Sequence, residues 1–189
     1  MRSSIVAILS AVLLGSAGSA AASVVILGDG MGRECYLSAA LKRSAATSLE
    51  ICTNALQGAL SQRDRAATFV NRGVVYAESG NPEAALQDYQ QALRIDPSLG
   101  EAHVNSGIAL MQIGGRDREA IEALTRAIVM GAPRIEVAYY TRAMAYELVG
   151  EVRAAYDDYH AAVDARPDWD APREQLKRFS IVRRERARG

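Results

Sequence analysis

The chain has 189 residues, 49% of them hydrophobic but only 6% aromatic, and its 22 basic residues balance 22 acidic ones. Length and composition suit one helical domain packed largely on alanine. With no net charge, and with arginine abundance attributable to genome composition, the chain lacks the electrostatic footprint of a nucleic-acid binder.

At the N-terminus Arg2 precedes the apolar run Ile5 to Leu14, which passes into small residues ending Ala20-Ala21-Ala22. This is the layout of a secretory signal peptide, residues 1–22, with cleavage after Ala22. No charge falls between Arg2 and Asp29, so an uncleaved membrane anchor is the competing reading; its Gly, Ser and Ala content is weakly apolar for a span. No cysteine adjoins the cleavage site and no twin-arginine pair precedes the apolar run, which makes general secretion into a bacterial periplasm the expected route.

Residues 23–34 read as a flexible mature N-terminus. Within them Gly28-Asp29-Gly30-Met31-Gly32 imitates a phosphate-binding turn, but a dinucleotide site needs a parallel-sheet unit with an acidic residue beyond it. The same five residues resemble the metal-binding start of alkaline phosphatases, which requires several further Asp and His ligands; the only histidines are His103 and His160. Neither histidine pairs with a nucleophile, so no catalytic residue, metal or cofactor is expected and the chain reads as a non-enzyme.

Residues 35–62 read as a degenerate leading helix pair, broken near Ala45 to Thr47, with Tyr36, Leu37, Ala40 and Leu41 facing Leu49, Cys52, Ala55 and Leu56. Export into an oxidising compartment would permit a Cys35–Cys52 disulfide stapling the two helices. The alternative is two buried free thiols. Neither cysteine has a second ligand at metal-binding spacing.

From Ala66 onward one arrangement comes round three times. The copies are Phe69, Gly73, Tyr76, Ala85, Tyr89, Ala92, Pro97; then His103, Gly107, Leu110, Ala120, Leu124, Ala127, Pro133; then Tyr139, Ala143, Tyr146, Ala155, Tyr159, Ala162, Pro167. A period of this length predicts stacked helix pairs, with the small residue of each first helix allowing close approach of the second. Asn81-Pro82 predicts an N-cap followed by a first-turn proline, and Asp117 is expected to cap the next second helix. Asp96-Pro97 and Arg166-Pro167 should end their helices, because the residue before proline is pushed out of helical geometry.

The ordered slots resemble the tetratricopeptide repeat (TPR) over Ala66 to Trp169. The resemblance implies an all-α fold, a right-handed superhelix (α-solenoid) of antiparallel helix pairs with repeats at 66–99, 100–135 and 136–169 and a C-terminal capping helix. The second copy departs most. His103 and Leu110 replace aromatics, and extra residues in the Gly114-Gly115 turn and at Gly131-Ala132-Pro133 read as longer loops.

One internal correlation goes beyond that pattern. Arg72 is followed sixteen residues later by Asp88, and Arg142 by Asp158, while the second copy has Ser106 and Ala123. Joint presence or absence predicts structural ion pairs between the two helices of a repeat.

TPR proteins hold a peptide or partner helix in the groove of their first helices. By resemblance the groove face here carries Val70, Asn71, Val74 and Glu78, then Val104, Asn105, Ile108 and Gln112, then Tyr140, Thr141, Met144 and Glu147. Amides would serve a peptide backbone and apolar positions its side chains. Contact with the neighbouring repeat is the other reading of each. The family's carboxylate clamp needs lysines on this face, and none is present. Residues 170–189 read as a basic capping helix and tail, with Leu176 and Phe179 packed on the third repeat and the arginines in water.

The expected function is a non-catalytic protein-interaction adaptor or scaffold in the periplasm, as monomer or homodimer, with a protein or peptide partner and no cofactor. The alternative is an envelope-assembly component in contact with the membrane through an uncleaved N-terminal segment or the basic tail.

Overall fold

The computed structural model describes residues 4–7 and 30–182. The expected signal peptide beyond Ala7, the Gly28-Asp29 pair and the arginines from Arg183 onward lie outside the described residues. Nine helices follow in order among those residues: α1 Met31–Ala40, α2 Ala45–Gln57, α3 Gln62–Glu78, α4 Pro82–Ile95, α5 Gly100–Ile113, α6 Asp117–Val129, α7 Ile135–Leu148, α8 Val152–Ala165 and α9 Asp170–Leu176. A short antiparallel ribbon joins β1, Ser4–Ala7, to β2, Phe179–Val182.

Local chemistry sets several helix ends. Asn81 Oδ1 accepts from the Ala84 N–H at 3.1 Å with Pro82 in the first turn of α4. Ser44 and Ser61 cap α2 and α3 in the same way. Asp96 and Arg166, each before a proline, take up extended or other non-helical geometry at the ends of α4 and α8. Asp117 is not a cap: α6 begins with it, Arg116 holds the cap position, and Asp117 lies in the first turn, where a carboxylate favours the positive helix end.

Helices pair as α3 with α4, α5 with α6 and α7 with α8, and each pair stacks on the next. The first helices also touch across repeats, α1 to α3, α3 to α5 and α5 to α7, whereas no comparable contact joins α4 to α6 or α6 to α8. The odd-numbered helices therefore line the inside of the curve. Small residues make the pairing tight: a Cβ added to Gly73 would lie 2.5 Å from Tyr89 Cε1, and one added to Gly107 would strike the Leu124 side chain. Tyr89 and Leu124 are themselves buried, so neither can step aside.

The extra residues of the second repeat have different fates. Gly114 and Gly115 both adopt positive φ, 78° and 68°, in an open turn. Ala132 is instead buried against Gly100, where an added Cβ would meet the Ala132 Cα at 2.8 Å. That insertion is packed, not a loop without a role.

In the leading pair the break falls at 41–44, where Lys42 takes a positive φ of 50°, and the packed face differs from expectation. Gly32, Cys35, Ser38 and Ala39 are buried, while Ala40 and Leu41 are exposed. Ser38 and Ser48 hydroxyls hydrogen-bond at 2.7 Å beside the cysteines. Arg65 of α3 donates to the Leu56 and Gly58 carbonyls, closing the open end of α2 and fixing the leading pair to the first repeat.

At the other end the cap is only partly helical. α9 stops at Leu176, and Phe179–Val182 runs as a strand, so the expected helix does not continue through the tail. Leu176 and Phe179 pack on the Ala143, Ala155 and Tyr159 cluster.

Candidate peptide-binding face

The inner layer of first helices carries the residues of interest, and their burial divides them sharply. Val70, Asn71, Val74, Val104, Asn105 and Thr141 are buried. They pack between repeats and are not surfaces a ligand can reach in this form. Each first helix covers the groove positions of its predecessor, so Val70 and Val74 join a cluster with Ala102 and Ala109 of α5, and Val104 joins one with Val137 and Ala138 of α7. Asn71 Oδ1 is buried without a hydrogen-bond partner.

Glu78 and Gln112 are exposed, and Ile108, Tyr140, Met144 and Glu147 are half-buried. The reachable inner face is therefore smaller than the sequence suggests and is acidic and apolar. α5 carries no lysine or arginine, and Arg72 of α3 and Arg142 of α7 are committed elsewhere.

Those arginines form the braces. Arg72 Nε and Nη2 donate to the two oxygens of Asp88 at 2.7 and 2.8 Å, and Arg142 repeats the fork on Asp158 at the same distances. Each guanidinium also donates to a threonine on the second helix of the preceding pair, Thr53 at 3.2 Å and Thr125 at 2.9 Å. Two aromatic rings flank each one, Phe69 and Tyr76 around Arg72, Tyr139 and Tyr146 around Arg142, all with centroids within 6 Å. The hydrogen bond to Asp88 raises the Arg72 pKa against the opposing effect of burial. The second repeat lacks the whole assembly, and Ser106 there bonds its own helix at Ala102 O.

Cys35 and Cys52 are joined by a disulfide, with their Cα atoms 4.6 Å apart and both side chains buried. His103 is buried in the slot that Phe69 and Tyr139 fill elsewhere, its Nε2 3.0 Å from Pro97 O. Burial, followed by the positive charge of Arg126, lowers its pKa against the opposing Pro97 contact. Because the unfolded chain then binds a proton more readily, stability should be complete above the unfolded histidine value of about 6.5 and fall as pH drops below it. The melting temperature of wild type should thus decline more between neutral pH and pH 5 than that of His103→Phe. Parallel declines would assign the acid sensitivity to other groups. His160 is exposed beside Tyr156 and takes no part in the inner face.

Residues 66–99 match the family model of the tetratricopeptide repeat. A solved structure of MamA superposes with a TM-score of 0.66 at 21% identity, covering 79% of this chain and 82% of that one. The fold is an all-α TPR superhelix.

The second TPR domain of Spaghetti (RPAP3), solved bound to the HSP90 peptide SRMEEVD, superposes with a TM-score of 0.51 at 22% identity, covering 54% of this chain and 94% of that one. Among curated proteins, the small glutamine-rich tetratricopeptide repeat-containing protein 2 of Mycosarcoma maydis is 37% identical over 60 residues, 32% of this chain. That match spans 17% of the relative's length.

Proposed function

We propose that the chain is a non-catalytic interaction scaffold that binds a protein segment along the inner face of its first helices in the periplasm of a bacterium. The observation that carries this reading is the continuous inner layer of α3, α5 and α7, on which Glu78, Ile108 and Gln112 stand accessible between braced repeats. A peptide bound to a TPR domain of similar fold supports the mode of recognition. The signal-like N-terminus and the buried Cys35–Cys52 disulfide support export, since such bonds persist in oxidising compartments.

Photoreactive residues at Glu78 and Gln112, compared with one at exposed Gln87 on α4, test the binding face. A partner whose crosslinked peptide maps to the two inner positions and not to Gln87 is the expected result; equal capture from both faces would remove the inner face from the function.

One observation favours the membrane-associated alternative: Ser4–Ala7 pairs in register with Phe179–Val182, which makes part of the N-terminal segment an element of the folded body. Among the described residues no helix is long and apolar enough to cross a membrane. Intact mass of the protein recovered from cell fractions decides between the two, a mature chain beginning at Ser23 in the periplasmic fraction supporting the first and an uncleaved, membrane-associated chain the second.

A further inference from the structure

The third repeat is covered differently from the first two. α3 and α5 are each followed on the inner layer by a helix of 14 residues, but the 7-residue α9 packs on α8, and α7 is covered only by the side chains of Trp169, Leu176, Arg178 and Phe179 around it. The Trp169 ring lies tilted against Tyr140 with centroids 4.8 Å apart, Leu176 and Phe179 pack beside Tyr159, and Arg178 Nη2 donates to Glu147 Oε2 at 2.5 Å. The Glu147 side chain is 12% exposed and that of Arg178 42% exposed. A carboxylate enclosed to this degree is costly to leave without a cation. Any segment that displaces Leu176–Phe179 must therefore bring a cation of its own to Glu147. The other cation of α7, Arg142, is held by Asp158 and is not free to serve Glu147.

We propose that this end of the inner face docks a partner segment in which an arginine is flanked by apolar side chains, and that Leu176-Lys177-Arg178-Phe179 is the chain's own occupant of the site, displaced when the partner binds. The inference rests on the groove-binding reading above and adds the ligand's chemistry. An acidic segment would meet Glu147 and be rejected.

The probe is a fluorescently labelled synthetic peptide copying Glu174 to Ser180, with a second peptide carrying glutamate in place of its arginine. Anisotropy is read against the full chain as wild type, Arg178→Ala, Arg178→Ala with Glu147→Gln, and Arg153→Ala as an exposed control on α8. Removing the internal occupant raises the fraction of open sites, so Arg178→Ala should bind the arginine peptide about tenfold tighter than wild type. Adding Glu147→Gln should erase that gain, Arg153→Ala should match wild type, and the glutamate peptide should not bind. Equal binding of the two peptides, or no gain in a folded Arg178→Ala, would overturn the proposal. If Arg178→Ala does not fold, Arg178→Lys keeps the charge but loses the guanidinium that reaches Glu147 and Gln175 together, and should still bind the arginine peptide more tightly than wild type; no gain there overturns it equally. A wild-type dimer with exchanged C-terminal segments would make the occupant a second copy and also overturn it. A partner crosslinked at Gln112 whose affinity is indifferent to Glu147→Gln would sink this inference and leave the groove reading standing.

Discussion

Asp88→Ala should lower stability by about 3–5 kcal/mol, the usual cost of stripping one partner from an enclosed ion pair. The Asp88 side chain is 6% exposed and that of Arg72 18%, so the stranded guanidinium finds little water to replace the two hydrogen bonds it loses. Thr53 and the rings of Phe69 and Tyr76 would still hold it in place, facing a cavity where its counter-charge had been. Removing both charges is milder, because Met in place of Arg72 suits the aromatic cleft and leaves no ion behind. Asp88→Ala combined with Arg72→Met should therefore be more stable than Asp88→Ala alone. Denaturant unfolding of the two singles and the double closes the cycle, and additive losses would show that the charges do not interact. Asp158 and Arg142 should behave alike.

Breaking the Cys35–Cys52 bond should cost about 3 kcal/mol, as expected for a cross-link of 17-residue separation on the chain-entropy account. The loss should be local. α1 and α2 bury only small side chains, the two cysteines, Ala39, Ala55, Ser38 and Ser48, together with Gly32, so the leading pair depends on its staple more than any later repeat depends on a single contact. In the Cys35→Ala and Cys52→Ala double variant, amide exchange should accelerate through α1 and α2 while α5 to α8 keep their protection. Uniform acceleration along the chain would mean that the leading pair folds as one unit with the repeats.

What the sequence disclosed follows from which interactions recur within a repeat. Gly73 against Tyr89 and Arg72 against Asp88 are contacts between two helices of one repeat, so they return at fixed separation and can be read copy against copy. Thr53 and Thr125 belong to the preceding pair and stand 19 and 17 residues from their arginines, an unequal spacing that hides them. The burial of Val70, Asn71, Val74, Val104, Asn105 and Thr141 was hidden for the same reason: whether Asn71 faces solvent depends on how α5 lies across it, which no single repeat encodes. Cys35 and Cys52 were legible as an opportunity, but the packed face of α1 was not, because a 10-residue helix ended by Lys42 gives too few turns for a periodicity to declare itself. The tail misled for a related cause. Phe179, Ile181 and Val182 among arginines suit either an amphipathic helix or a short strand, and pairing with Ser4–Ala7 decides for the strand. The aromatic slots and the braces turn out to be one device, which explains why His103, Ser106, Leu110 and Ala123 depart together in the second repeat.

Taken as a mechanical object, the molecule is a curved rod with two rivets and a gap between them. Arg72 ties three helices, α2, α3 and α4, at one station, and Arg142 ties α6, α7 and α8 at another. Between the rivets α5 is held by apolar packing, which resists separation but tolerates small sliding far better than a forked hydrogen bond does. Flexure of the rod should thereby concentrate at α5, between the two rivets.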